Sequence, residues 1–170
     1  MVKFFLSIFL LLSLSVHSQK TEGLITNYPE VVLPAILEFN DDANRNGFNS
    51  KYFLDKDLRG ILILPKSELN NYCESDNPYR AASICTVYNP QKKRYEVIIV
   101  FSEIVLKHPS IFKMLLYHEL FHFFGLEHET LGLMSGDPIR IQDFTIQEID
   151  SNFKKVKTIP PKNYFKTILK

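Results

Sequence analysis

The stretch from His118 to His128 constrains this chain more than any other. It reads H-E-x-x-H-x-x-G-x-x-H, and Met134 follows six residues later. His118 and His122 are four apart, so on a helix both imidazoles leave one face, one turn above the other. Two rings so placed can hold one Zn²⁺ at about 2.0–2.1 Å per bond. The helix alone cannot deliver a third ring. Gly125 can take a left-handed conformation and end the helix, and the chain can then double back to bring His128 to the third position. Three neutral imidazoles leave a fourth position open for water, the pattern of a catalytic rather than a structural zinc. Glu119, next to the first ligand, points toward that position. Of the five histidines, three lie in this motif, while His17 and His108 lie outside it. The plainer reading is that His118 and His122 are hydrogen-bonded core histidines on an aromatic helix.

With these residues in place, the chain resembles the metzincin clan of zinc metallopeptidases, whose signature is this motif followed by a Met-turn. It is most similar to the small, secreted, matrixin-like metzincins of bacteria. The specific match runs from His118 to Met134, and a looser match in element order runs from about Pro29 to Lys157. The resemblance implies a secreted zinc endopeptidase acting as a monomer on protein or peptide substrates. It makes His118, His122 and His128 the ligands of one Zn²⁺. Glu119 becomes the general base toward zinc-activated water, and Met134 the Met-turn residue beneath the imidazoles. Leu133 to Ile139 becomes a wall of the specificity pocket. The loop between His128 and Met134 is short for the clan. Gly136 stands where some members place a tyrosine ligand, so a tyrosine switch is not expected. A thermolysin-like site with Glu148 as a distant ligand is the weaker alternative. So is a secreted module that keeps zinc and binds a partner without catalysis.

The N-terminus reads as a secretory signal. Lys3 is its positive region and Phe4 to Val16 its apolar region, with cleavage after Ser18. The apolar run is shorter than the roughly 20 residues of a membrane span, although a retained anchor is the alternative. Secretion, or export to a periplasm, follows. Removing 18 of the 170 residues leaves a chain from Gln19 to Lys170, a suitable length for a single domain. Lys3 is the only charge removed, so the 20 basic residues become 19, against 19 acidic ones. A neutral chain gives no reason to expect nucleic acid or an anionic membrane as partner. The basic segments Lys154 to Lys157 and Lys162 to Lys170 read as solvated surface. Export permits a disulfide between the two cysteines, Cys73 and Cys85, with two free thiols as the alternative.

The remaining pattern predicts an α+β domain: a twisted sheet, two long helices behind it, and a small C-terminal subdomain with a third helix. The first helix spans Pro29 to Asn46, with Pro34 marking N1 and Asn46-Gly47 as its stop. The run Asp42 to Gly47 imitates a calcium loop, but Phe53 stands where the bidentate Glu belongs. Leu58 to Leu64 reads as a buried strand, and Ser83 to Tyr88 and Tyr95 to Phe101 read as two more, the last central toward its end. Either of the latter two could form the upper rim of the cleft. The motif helix runs from Pro109 to about Phe124 and is apolar nearly all round, so it is expected to be buried. Thr145-Ile146-Gln147-Glu148 is a capping box opening a final helix to about Lys157.

Overall fold

The computed structural model describes residues 29–73, 80–136, 144–165 and 168. The signal segment, Met1 to Ser18, lies outside these residues, as does the part of the expected pocket wall at 137–139. Among the described residues no helix is long and apolar enough to cross a membrane.

The architecture is α+β. A turn of 3-10 helix, Glu30–Val32, leads into helix α1, Leu33–Arg45. Leu33 opens the helix and Pro34 comes second, one place later than expected but still within the turn where a missing N–H costs nothing. Helix α2, Ser50–Asp57, runs directly into strand β1, Leu58–Leu64. It starts where the Asn49 side chain accepts the Tyr52 N–H at 3.1 Å. Helix α3, Lys66–Tyr72, precedes strands β2, Ala82–Asn89, and β3, Arg94–Ser102. Then come a 3-10 turn at Glu103–Lys107, the motif helix α4, Pro109–Phe123, and helix α5, Ile146–Thr158.

The sheet has three strands in the order β1-β3-β2. β3 runs parallel to β1 and antiparallel to β2, in a register that sets Ile99 beside both Ile61 and Ile84. The apolar residues on both faces of β3 account for its central place: Val97 to Phe101 are all buried. β1, an edge strand, buries Leu58, Gly60 and Ile61, exposes Arg59 and leaves Leu62 to Leu64 half-buried, so it is less enclosed than its apolar run predicts. Cys73 and Cys85 form a disulfide, with Cα atoms 5.7 Å apart, that ties the end of α3 to β2.

α4 packs on the sheet through Phe112 against Phe101 at 5.1 Å, and on α1 through Tyr117 and Phe121 against Phe39 at 5.0 and 5.5 Å. Loaded on two sides, it buries every residue from Leu115 to Phe121. Phe153 of α5 joins the same aromatic group, 5.2 Å from Phe39 and 5.0 Å from Phe121. The third helix therefore shares the single core with α1 and α4 instead of building a subdomain core of its own. The C-terminal segment is not wholly solvated surface either. Tyr164 is buried against Phe48, Phe53 and Phe124.

The calcium-like run is a helix terminus. The Phe48 N–H donates to Ala43 O and the Gly47 N–H to Asn44 O, each at 2.9 Å, with Gly47 at φ +68°. This is a Schellman stop. Asp42 turns its carboxylate to Arg45 and to the Tyr117 hydroxyl, the latter at 2.7 Å.

Candidate metal centre

α4 ends as the sequence requires. The Leu126 N–H donates to Phe121 O at 3.0 Å and the Gly125 N–H to His122 O at 2.9 Å, with Gly125 at φ +87°. A side chain there would meet backbone strain, and its Cβ would lie 3.4 Å from Asn163 O. This stop places the Leu126 carbonyl against the second histidine, 2.7 Å from His122 Nδ1. Fifteen residues beyond His118, the Leu133 carbonyl stands 2.7 Å from His118 Nδ1. A carbonyl only accepts, so both Nδ1 atoms carry the proton and both Nε2 atoms present lone pairs.

Those two Nε2 atoms face each other at 3.0 Å. Two lone pairs repel at that distance unless a cation or a shared proton lies between them. A shared proton is disfavoured. Burial lowers the pKa of His118, and burial together with the charge of His118 pushes His122 down to about 3. Neutral imidazoles are the form that binds metal. His128 completes the group, its ring centroid 4.5 Å from His122 and 5.3 Å from His118. The three ligand atoms lie within 4.8 Å of one another, close enough to hold one metal ion. The donor set thus fits a divalent cation that accepts three nitrogens, with the exposed His128 side open to solvent.

Glu119, which follows His118 on α4, is buried. Burial pushes its carboxyl up to about 8, and the charge of Arg80 pulls the other way. Arg80 precedes β2, where its guanidinium donates to Ser83 Oγ at 2.8 Å. Met134 is fully buried in the main core, on the loop whose Leu133 carbonyl holds His118. Glu148 does not join the cluster. Its Oε1 accepts the Leu133 N–H at 3.3 Å. Cys73 and Cys85 are bonded to each other and are not part of the histidine group.

The motif reveals neither the two supporting carbonyls nor Gly132 and Gly136. A Cβ on Gly136 would sit 3.3 Å from both Cγ and Nδ1 of the His128 ring, so glycine lets this segment lie against the third histidine. One signal was available: three of the six glycines, Gly125, Gly132 and Gly136, fall in one short segment. Arg80 carried no signal, because its approach depends on how β2 meets α4.

Comparison with protein-family models, with curated proteins and with solved structures finds no match.

Proposed function

We propose that this chain is a secreted zinc-dependent endopeptidase of the metzincin type. The observation that carries the reading is the approach of the His118 and His122 Nε2 lone pairs to 3.0 Å, with both Nδ1 atoms committed to carbonyls. His118, His122 and His128 would hold the ion, and the order of H-E-x-x-H, glycine turn, third histidine and buried Met134 favours zinc in a clan-like arrangement. When bound, zinc would supply Lewis acidity toward a water and a scissile carbonyl.

The residues of the chain do the remaining work. In its ionised form, which the charge of Arg80 favours and that of a bound cation would favour against burial, Glu119 takes a proton from the attacking water and returns it to the leaving amine. Glu119 follows His118 on α4 and is buried, and it is not a member of the three-histidine group. β1 and β2 are the two edges of the sheet and β3 is central; of the two edges, we take β2, which begins next to Arg80, as the one that pairs with an extended peptide. Main-chain pairing of this kind orients a substrate without demanding a particular side chain. The N-terminal signal pattern supports export.

The test compares wild type with Glu119→Gln at equal zinc content on the same peptides. Zinc should be retained, and hydrolysis should fall by about two to four orders of magnitude, the usual share of general acid–base catalysis. Equal hydrolysis by both would remove Glu119 from the reaction. No hydrolysis by zinc-loaded wild type across a broad peptide library would favour a binding module.

A further inference from the structure

Glu148 has the chemistry of a ligand but is engaged elsewhere. The Thr145 hydroxyl oxygen accepts the Glu148 N–H at 3.2 Å and fixes the residue at the start of α5. From there its Oε1 reaches across to the loop after His128. It accepts the Leu133 N–H at 3.3 Å and lies 3.5 Å from Asn152 Nδ2. The loop backbone passes so close that a Cβ on Gly132 would stand 2.5 Å from the same oxygen. Gly132 is at φ +81°, so backbone conformation favours glycine there, and a side chain would also push the Glu148 carboxylate aside.

Leu133 is therefore held at both ends. Glu148 takes its N–H, and its C=O takes the His118 Nδ1–H at 2.7 Å. Its side chain is fully buried, which removes the remaining freedom. Only two soft backbone dihedrals separate the two anchored groups. Movement of one is felt by the other.

We propose that Glu148 is a positioning residue for the histidine cluster. By anchoring Leu133 it holds His118 in the Nδ1–H tautomer, with Nε2 turned toward His122 and His128. The role in metal binding rests on the peptidase reading above, whereas the role in ring orientation does not. Partners of this outer kind commonly change metal affinity about tenfold to a hundredfold.

Three variants of the full chain separate reach, acceptor and charge. Glu148→Asp keeps the charge but is one methylene too short. Glu148→Gln keeps an oxygen acceptor at the same reach. Glu148→Ala removes both. The first readout is the imidazole nitrogen spectrum of the metal-free protein. Wild type should show a single Nδ1–H tautomer at His118, the Gln variant should keep it, and the Asp and Ala variants should show averaged tautomers. The second readout is competition for Zn²⁺ against a chromophoric chelator at neutral pH. The dissociation constant should rise about tenfold to a hundredfold for Asp and Ala, and less for Gln. Circular dichroism shows whether each variant is folded. Should the Ala protein unfold, the Asp and Gln proteins decide. A His118 ring spectrum that ignores the Asp substitution, or zinc affinity unchanged by it, overturns the proposal. If wild type took up no zinc while the ring spectrum still followed Glu148, the peptidase reading would fall and the positioning role would stand.

Discussion

At the scale of single residues, the site depends on backbone conformation as much as on the three imidazoles. Gly125 turns the chain with φ +87° and so sets the Leu126 carbonyl against His122. Gly125→Ala would force an L-residue into the left-handed region, at a cost of about 1–2 kcal/mol. We expect the midpoint of urea unfolding to fall accordingly, with zinc held less tightly because the His122 support shifts. A variant with unchanged stability and affinity would show that the turn tolerates a side chain. His128 is the exposed member of the cluster and has the least packing to lose. His128→Ala should therefore leave the fold intact while weakening zinc retention by more than Met134→Leu does, as read by metal analysis after dialysis.

At the scale of elements, the β2–β3 hairpin is held by one buried carboxylate. Glu96 is almost fully buried and takes Asn89 Nδ2 at 2.6 Å, Lys92 Nζ at 2.7 Å and Arg94 Nη2 at 3.3 Å. Asn89 also accepts the Gln91 and Lys92 N–H groups and so shapes the turn. Burial alone would raise the Glu96 pKa, but the bonds from Asn89 and Lys92 and the charge of Lys92 outweigh it and lower the value. A carboxylate whose folded pKa lies below its unfolded one stabilises the fold above the unfolded value. That contribution disappears as pH falls through the folded pKa. Glu96→Gln should therefore lower stability by about 1–3 kcal/mol at neutral pH, and the difference from wild type should shrink in acid. Denaturant titrations at neutral and acidic pH would measure this. A difference that stayed constant with pH would show that the charge is not what matters.

At the scale of the whole molecule, one aromatic core joins α1, α4 and α5, and the helix that carries His118 and His122 runs through it. The Tyr117 hydroxyl, donating to Asp42 at 2.7 Å, links α4 to α1 across that core. Burial and Asp42 both hold the phenol protonated. Tyr117→Phe should cost about 1.5–3 kcal/mol, the range for a hydrogen bond to a charged group. Metal should stabilise the same unit, because an ion bound only by the folded state shifts the equilibrium by mass action. At a free zinc concentration about a hundred times the dissociation constant, the gain is about 2.7 kcal/mol. For a domain of this size that raises the melting temperature by about 5–10 °C. A chelator should remove the shift in a thermal scan. A melting temperature indifferent to zinc and chelator would count against a metal held by the native state.

Much of this protein was determined by local pattern. The four-residue spacing of His118 and His122, the glycine after α4, the Asn46-Gly47 stop and the Thr145 cap all act within a turn or two of helix. Near neighbours suffice to specify them, and their residue types are those each geometry needs. The apolar faces of β3 likewise announced a central strand. What only the tertiary structure decided involves partners far apart in the chain. It placed β3 between β1 and β2, and it buried Phe153 with Phe39, so that the third helix has no core of its own. It also bonded Tyr117 to a residue 75 positions away and drew Glu148 to the Leu133 N–H and away from the histidine cluster. The physical reason is the same each time. A side chain's chemistry is fixed by its type, but its partner depends on which backbone packing brings within hydrogen-bond distance. Sequence spacing reports that distance only along a single helix or strand.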